Sequence, residues 1–390
     1  MLSKIFPRQR DRVILLPAIG SQLIVSTSLF LLPLLIATLK RDAGLSGRSA
    51  GLLLSMELGV SALTTFCLSA WVHKHSARHW ALAGALLTAL ATGLTIISPA
   101  PPALFSTRLV AGIGAGVVGA EATSVLSLAV ARERIISAVT IVSIIHAACW
   151  LAVLPYLIDR WGYRGPYVAL FVICLAGAWL LRHLPSLSLH HDSGKQASRS
   201  LFSVSAALVI VAVFLTQLGQ GAFWTLEEVY GRYAGFGSHA IGAFLGVATL
   251  LLLLGAAGAG WAGDRFGRFA SLIVLVALNA ASILLVSTIA FRWMYVGANV
   301  LQSVTNLSSL IFQLALAASL DRSGRAVAVS TGMVTLGNGL GPAVAASMSG
   351  AASAPFVGVF VLGLNSVALA LYAGVKSRSG EAREMFPVAP

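Results

Sequence analysis

The chain has 390 residues, 57% of them hydrophobic and only 10% charged, with a mean hydropathy of +0.88. A soluble domain carries roughly 25% charged residues, so this composition excludes an ordinary water-facing surface and points to lipid as the solvent. The formal charge of +13 does not make a nucleic-acid surface, because Lys and Arg sit in short knots between apolar blocks and not on one basic face.

In lipid every backbone polar group must be satisfied within a helix or a closed barrel. Runs such as Leu250–Ala259 lack period-2 alternation and exclude the barrel. The chain therefore reads as an all-α polytopic membrane protein with twelve transmembrane helices. The expected spans are 13–39, 49–72, 80–98, 103–130, 136–157 and 166–184, then 204–229, 240–262, 270–288, 293–319, 325–349 and 354–374. The first block is too long for a signal-peptide h-region and no small-residue cleavage site follows it, so it is read as a retained span. Between the sixth and seventh spans runs the longest hydrophilic stretch, with His190, His191, Asp192 and Lys195. It divides the chain into an N-terminal six-helix bundle (1–185), a linker (186–203) and a C-terminal six-helix bundle (204–390). With the N-terminus inside, the cytoplasmic side holds eighteen of the 26 Lys and Arg residues. That excess places both termini and the linker in the cytoplasm of a cell whose inner membrane holds the protein.

Ionisable and polar residues within spans are functional candidates, because each is costly unless paired or wet. Glu57 lies in the second span, ~12 Å below the outer surface at 1.5 Å per residue. Arg108 enters the fourth span from the same side, ~7 Å deep. Both approach from the same side, and Arg108 alone could snorkel outward. Glu121 and His146 flank the loop between spans four and five at matched depth, an arrangement suited to proton exchange or to a buried hydrogen bond that locks the hairpin. Cys67, Cys149 and Cys174 lie in apolar blocks without CxxC spacing and read as small core residues. No metal or cofactor is implied.

Span seven carries Gln217 and Gln220 beside Gly219 and Gly221, which are expected to loosen the helix near the midplane, and then Phe223 and Trp224. Glu227 and Glu228 follow near the outer mouth, where solvated rim carboxylates are expected, or a role in gathering protons or cations. In span ten, Asn299, Gln302, Asn306, Ser309 and Gln313 recur at helical spacing on one face. A polar stripe there must face protein or water, and it is a candidate lining of a solute path.

Two stretches carry a family resemblance. Gly260-Trp261-Ala262-Gly263-Asp264-Arg265-Phe266-Gly267-Arg268 resembles the GxxxDRxGR loop of the major facilitator superfamily. Arg108-Leu109-Val110-Ala111-Gly112-Ile113-Gly114-Ala115-Gly116 is similar to that family's RxxxGxGxG signature. The resemblance implies two six-helix bundles that alternate access, and a cytoplasmic gating loop formed by Gly260, Asp264, Arg265, Gly267 and Arg268. Asp264 is then expected to pair with a neighbouring helix end. It also implies that spans two and four are neighbours, so that Glu57 and Arg108 could form an ion pair, static or proton-sensitive, and a part for Arg108 in proton coupling or anion handling. The first-half copy of the loop departs from the pattern, with Lys74, His75 and Ala77 at the Asp, Arg and Gly positions. A faint repeat accompanies it: Ala70-Trp71 and Arg78 recur as Gly260-Trp261 and Arg268, and Pro155 as Pro342. Drug antiporters of the family carry paired glycines late in span five, whereas here Leu154-Pro155-Tyr156-Leu157 lacks them, and a related run, Gly337–Pro342, sits in span eleven.

The function expected is secondary active transport of a small organic solute by alternating access, as proton-coupled symport. The alternatives are a proton-coupled drug or metabolite efflux antiporter and a non-transporting sensor on the same scaffold. No GxxxxGK[ST] sequence supports an ATP-driven pump. An enzyme is not expected, since His146 is the sole mid-span histidine and no nucleophile stands beside a base. The expected partners are the solute, protons and the lipid bilayer, with no nucleic acid, and the protein is expected to be a monomer.

Overall fold

In the computed structural model, residues 9–69, 76–98, 100–127, 129, 132–184, 203–320, 325–348 and 354–385 are described. Among them the regular structure is helical throughout: α1 (Gln9–Phe30), α2 (Leu32–Arg41), α3 (Gly47–Ser69), α4 (Ala77–Ile97), α5 (Pro101–Ser127), α6 (Arg132–Trp161) and α7 (Arg164–Leu181), then α8 (Val204–Thr225), α9 (Glu227–Tyr233), α10 (Ser238–Phe266), α11 (Arg268–Thr288), α12 (Arg292–Leu320), α13 (Arg325–Ser347) and α14 (Ala354–Met385). The chain is a multi-pass membrane protein, with eleven of these helices long and apolar enough to cross a bilayer. The expected span at 325–349 does form a helix, α13, but Ser330, Thr331, Thr335 and Asn338 and its glycines hold down its hydropathy.

Two expected spans are each built from two helices. The first breaks at Leu31, one residue before α2, where Pro33 stands in the first turn and supplies no N–H. Leu31 N still donates to Thr27 O and Leu35 N to Leu31 O, both at 3.0 Å, so the chain bends without losing its ladder. The seventh breaks at Leu226, where a tight turn joins α8 to α9.

The chain divides into two compact units, Met1–Ala197 with Gly237–Leu250, and Ser198–Phe236 with Leu251–Pro390. In the first unit, α5 is sandwiched between α3 and α4, and α7 packs on α1 and α4. The glycines of α5 explain the closeness: a Cβ at Gly112 would lie 2.5 Å from Glu57 O on α3, and one at Gly114 2.6 Å from Gly84 O on α4. In the second unit, α8 packs against α13 and α14, and α11 against α12 and α14. Its apolar core gathers Val209, Val213, Leu272, Val276, Phe312 and Tyr372. Elsewhere large apolar side chains such as Phe66, Ile97, Leu254 and Trp293 stand outward, which suits a surface bathed in lipid. Of the three cysteines read as core residues, only Cys174 is buried, while Cys67 and Cys149 lie on exposed faces.

The loop between α10 and α11 turns at Gly267, whose φ of 79° and ψ of 148° lie in a region essentially restricted to glycine. Gly267 N donates to Gly263 O at 3.1 Å, and Ser271 Oγ to Ala262 O at 3.0 Å, which closes the turn. Gly260, Asp264, Arg265 and Arg268 are exposed around it. The expected pairing of Asp264 with a helix end does not appear among the described residues. The first-half counterpart at Ala70, Trp71, Lys74 and His75 lies outside the described residues, as does the linker up to residue 202.

Candidate functional site

The first unit holds a charged centre. Arg108, on α5, is 1% exposed and points into the bundle, not out to the surface. Its Nη1 lies 3.4 Å from Glu57 Oε1 on α3. Its Nη2 donates to Thr95 Oγ1 at 2.8 Å and Thr92 Oγ1 at 3.1 Å, both from α4. The guanidinium carbon sits 4.9 Å from the Tyr167 ring centroid on α7. Ser28 Oγ, on α1, donates to Glu57 Oε1 at 3.0 Å. Four further helices thus converge on one arginine, and the contact of α3 with α5 exists because Gly112 has no side chain. A buried pair of this kind offsets its desolvation only through such added hydrogen bonds. Arg108 Nε and Tyr167 Oη remain without a hydrogen-bond partner. Beside the pair a cavity of about 20 Å³ is lined by Ser28, Glu57, Ser61, Thr88, Thr92 and Cys174 among others, room for roughly one water.

The second unit holds a neutral centre of amides. Gln302 Nε2 donates to Gln220 Oε1 at 3.0 Å, and Asn338 Nδ2 to Gln217 Oε1 at 2.9 Å. Thr216 Oγ1 donates to Gln313 Oε1 at 3.0 Å, and Asn279 Nδ2 to Gln302 O at 3.3 Å. Four members of the α12 stripe, Asn299, Gln302, Ser309 and Gln313, are buried, and Asn306 is half-buried. The stripe faces α8 and α11 in this conformation, so protein groups take up much of its hydrogen-bonding capacity. Gly219 and Gly221 do not loosen α8, which runs unbroken through both. Gly221 lies against the backbone of Asn338 and Gly341 on α13, with no room for a Cβ. Close packing is the role these glycines serve.

Two further expectations need correction. Glu227 and Glu228 are not solvated rim carboxylates: they are 0% and 3% exposed, and Glu228 pairs with Arg232 at 2.6 Å. No hydrogen bond or ion pair joins Glu121 to His146. His146 Nε2 lies 3.4 Å from Thr27 Oγ1 and its ring meets Trp150 edge-on, while Glu121 Oε2 is buried without a partner. Trp224 is half-buried one turn before Glu228.

The sequence reading did not single out Thr92 and Thr95, Ser28, Tyr167, Asn279 or Thr216. A signal was present for the threonines, since Thr88, Thr92 and Thr95 share one face of span three at helical spacing. Tyr167 and Ser28 gave none, because a lone Tyr or Ser in an apolar block is ordinary.

The model for the family described as Major Facilitator Superfamily matches residues 18–216. No curated protein sequence matches the chain. Among solved structures, it is similar to a D-xylose-proton symporter, with a TM-score of 0.72 at 13% identity over 93% of this chain and 97% of that one. It is similar to the nucleoside transporter NupG, with a TM-score of 0.68 at 12% identity over 95% and 99%. It is also similar to a bacterial homolog of the human lysosomal transporter Spinster, solved inward-facing and unoccupied, with a TM-score of 0.69 at 14% identity over 94% of each chain.

Proposed function

The chain belongs to the major facilitator superfamily, and on that footing we propose that it carries a small organic solute across the inner membrane by alternating access, as a proton-coupled symporter. The working unit is a monomer with both termini in the cytoplasm, built from halves 1–185 and 204–390 joined by the linker 186–203. It is a transporter fold and not an enzyme.

The observation that carries this reading is the Glu57–Arg108 pair. The two charges touch at 3.4 Å, at the long end of an ion pair, beside space for roughly one water. A proton arriving on Glu57 removes the charge that holds Arg108 Nη1, while Thr92 and Thr95 keep Nη2 in place. The helix contact between α3 and α5 then has two electrostatic states, and a bistable contact of this kind is what coupling requires. Glu121 and His146 are the further coupling candidates, acting separately or through a rearranged state. The gating loop Gly260–Arg268 serves the cytoplasmic end.

Recognition falls to the amides of the second unit and to Trp224. Gln217, Gln220, Asn299, Gln302 and Gln313 offer donors and acceptors without net charge, which suits a neutral, hydroxylated solute. Solved structures of the same fold include a nucleoside transporter and a D-xylose symporter, so nucleosides and monosaccharides are the first probes. The efflux reading gains nothing from the Gly337–Pro342 run, since Gly337 and Gly341 pack against α8.

The test is a thermal-shift screen of the purified protein against nucleosides and monosaccharides at two pH values, followed by uptake of any hit into proteoliposomes. A ligand present at 100 times its Kd stabilises the fold by about 2.7 kcal/mol. Symport predicts that an inward proton gradient accelerates uptake in the wild type, and that Glu57→Gln keeps solute exchange but loses the acceleration. Acceleration intact in Glu57→Gln removes the pair from coupling. No binding and no uptake across the panel would favour a sensor on this scaffold.

A further inference from the structure

Glu227 stands apart from every other acid described here. It begins α9 just after the break at Leu226, where φ is −100° and ψ is 6°. Leu226 N reaches back only three residues, to Phe223 O at 3.0 Å, so the helix is tightened at this joint before Tyr230 N resumes the regular spacing to Leu226 O. The side chain of Glu227 is fully buried, and neither carboxyl oxygen has a hydrogen-bond partner.

The groups around it do not supply a counter-charge. Tyr295 on α12 directs its hydroxyl to the backbone carbonyl of Glu227, at 3.5 Å. Asn299, one turn further on, spends its Nδ2 on Tyr295 O at 3.1 Å, although Asn299 and Tyr295 both lie within reach of the carboxyl. Tyr230 is in electrostatic range and stacks on Phe223 at 5.7 Å between centroids. Glu228 adds a like charge and is bound by Arg232. Arg292 donates to Gly235 O and lies over the Phe236 ring. The facing titratable groups are therefore Tyr230, Tyr295 and Glu228, and the cations of this end are engaged by other groups.

An ionised carboxylate in such a place would be a buried charge without a counter-charge, which costs several kcal/mol. A carboxylic acid removes the charge and gains a donor that Tyr295 or Asn299 can accept. We infer that Glu227 is a proton-binding site of the second unit, located at the α8–α9 break and occupied in this conformation. The site deepens the proton coupling proposed above. Its test needs no transport, so it can fail while the symport reading stands, and the reverse.

The experiment is infrared spectroscopy of the purified protein near neutral pH, with glutamate carboxyl groups labelled with 13C. The wild type should show the isotope-shifted carbonyl stretch of a protonated carboxylic acid, distinct from the carboxylate bands. Glu227→Gln should lose one such band, and Glu228→Gln should keep it. If Glu227→Gln does not fold, Glu227→Asp serves, since its carboxyl is unlabelled and the shifted band must again disappear. A wild-type spectrum without any protonated glutamate band overturns the inference whatever the variants do. So does a set of protonated-glutamate bands that removal of Glu227 leaves unchanged.

Discussion

The two polar centres solve the same problem, polar groups inside a bilayer, by opposite means. In the first unit one full positive charge is met by one full negative charge, two hydroxyls and an aromatic face. In the second, amides satisfy one another in pairs, Gln302 with Gln220 and Asn338 with Gln217. The difference decides what each can respond to. A single proton changes the net charge of the first centre and so the force between α3 and α5. The amide centre holds the same charge at any physiological pH, but each hydrogen bond between amides could be exchanged for one to a solute hydroxyl at little net cost. On the proposed reading, protons act on carboxylates, Glu57 in the first unit and Glu227 in the second, while the solute is met by the amides.

The strongest way to break this comparison is to remove one charge. Arg108→Gln leaves Glu57 buried without its cation, and is expected to destabilise the protein by about 3–5 kcal/mol. Adding Glu57→Gln removes the orphaned charge as well, so the double variant should recover much of that loss. Thermal unfolding in detergent, run as a double-mutant cycle, measures the coupling. Additive single effects would show that the 3.4 Å contact carries no interaction of consequence.

A smaller effect is expected in the amide centre. Gln302→Leu deprives Gln220 Oε1 of its donor. The cost is that of an unsatisfied buried acceptor, about 1–3 kcal/mol. This loss should be the same at any pH between about 5 and 8, the range in which imidazole and buried carboxyl groups commonly titrate. A pH-dependent loss, followed by thermal unfolding across that range, would mean that a titrating group leans on the amide pair.

How much of this was visible in the sequence follows the same division. The Glu57–Arg108 pair was legible because charges inside apolar blocks are rare, and because RxxxGxGxG marks where α5 is approached closely. The amide stripe on α12 was legible from its spacing. Its partners on α8 are visible in the sequence as polar residues but not as pairs, since nothing in a sequence states which of two helices an amide faces. Glu121 and His146 illustrate the limit: equal depth on consecutive helices fixes height but not azimuth, and the two side chains take different neighbours. Glu227 was misread for a related reason. Proximity to a span end suggested water, whereas the break at Leu226 starts a second helix, α9, along which Glu227, Glu228 and Tyr230 are all buried.

The finest test of the comparison uses one substitution twice. Thr95 and Thr216 are both buried, one in each centre. Thr95 Oγ1 accepts from the Arg108 guanidinium at 2.8 Å, and Thr216 Oγ1 donates to the neutral Gln313 Oε1 at 3.0 Å. Valine replaces either side chain with nearly the same shape, so packing is held constant while the hydroxyl is lost. A hydrogen bond to a charged group contributes about 1.5–3 kcal/mol, and a neutral one about 1 kcal/mol. Thr95→Val should therefore lower the unfolding temperature by more than Thr216→Val does. Glu57→Gln in the background should change the first loss and leave the second untouched. Equal losses in both, insensitive to Glu57, would show that Arg108 is held by packing and Thr92 alone, and the electrostatic distinction between the two centres would fail.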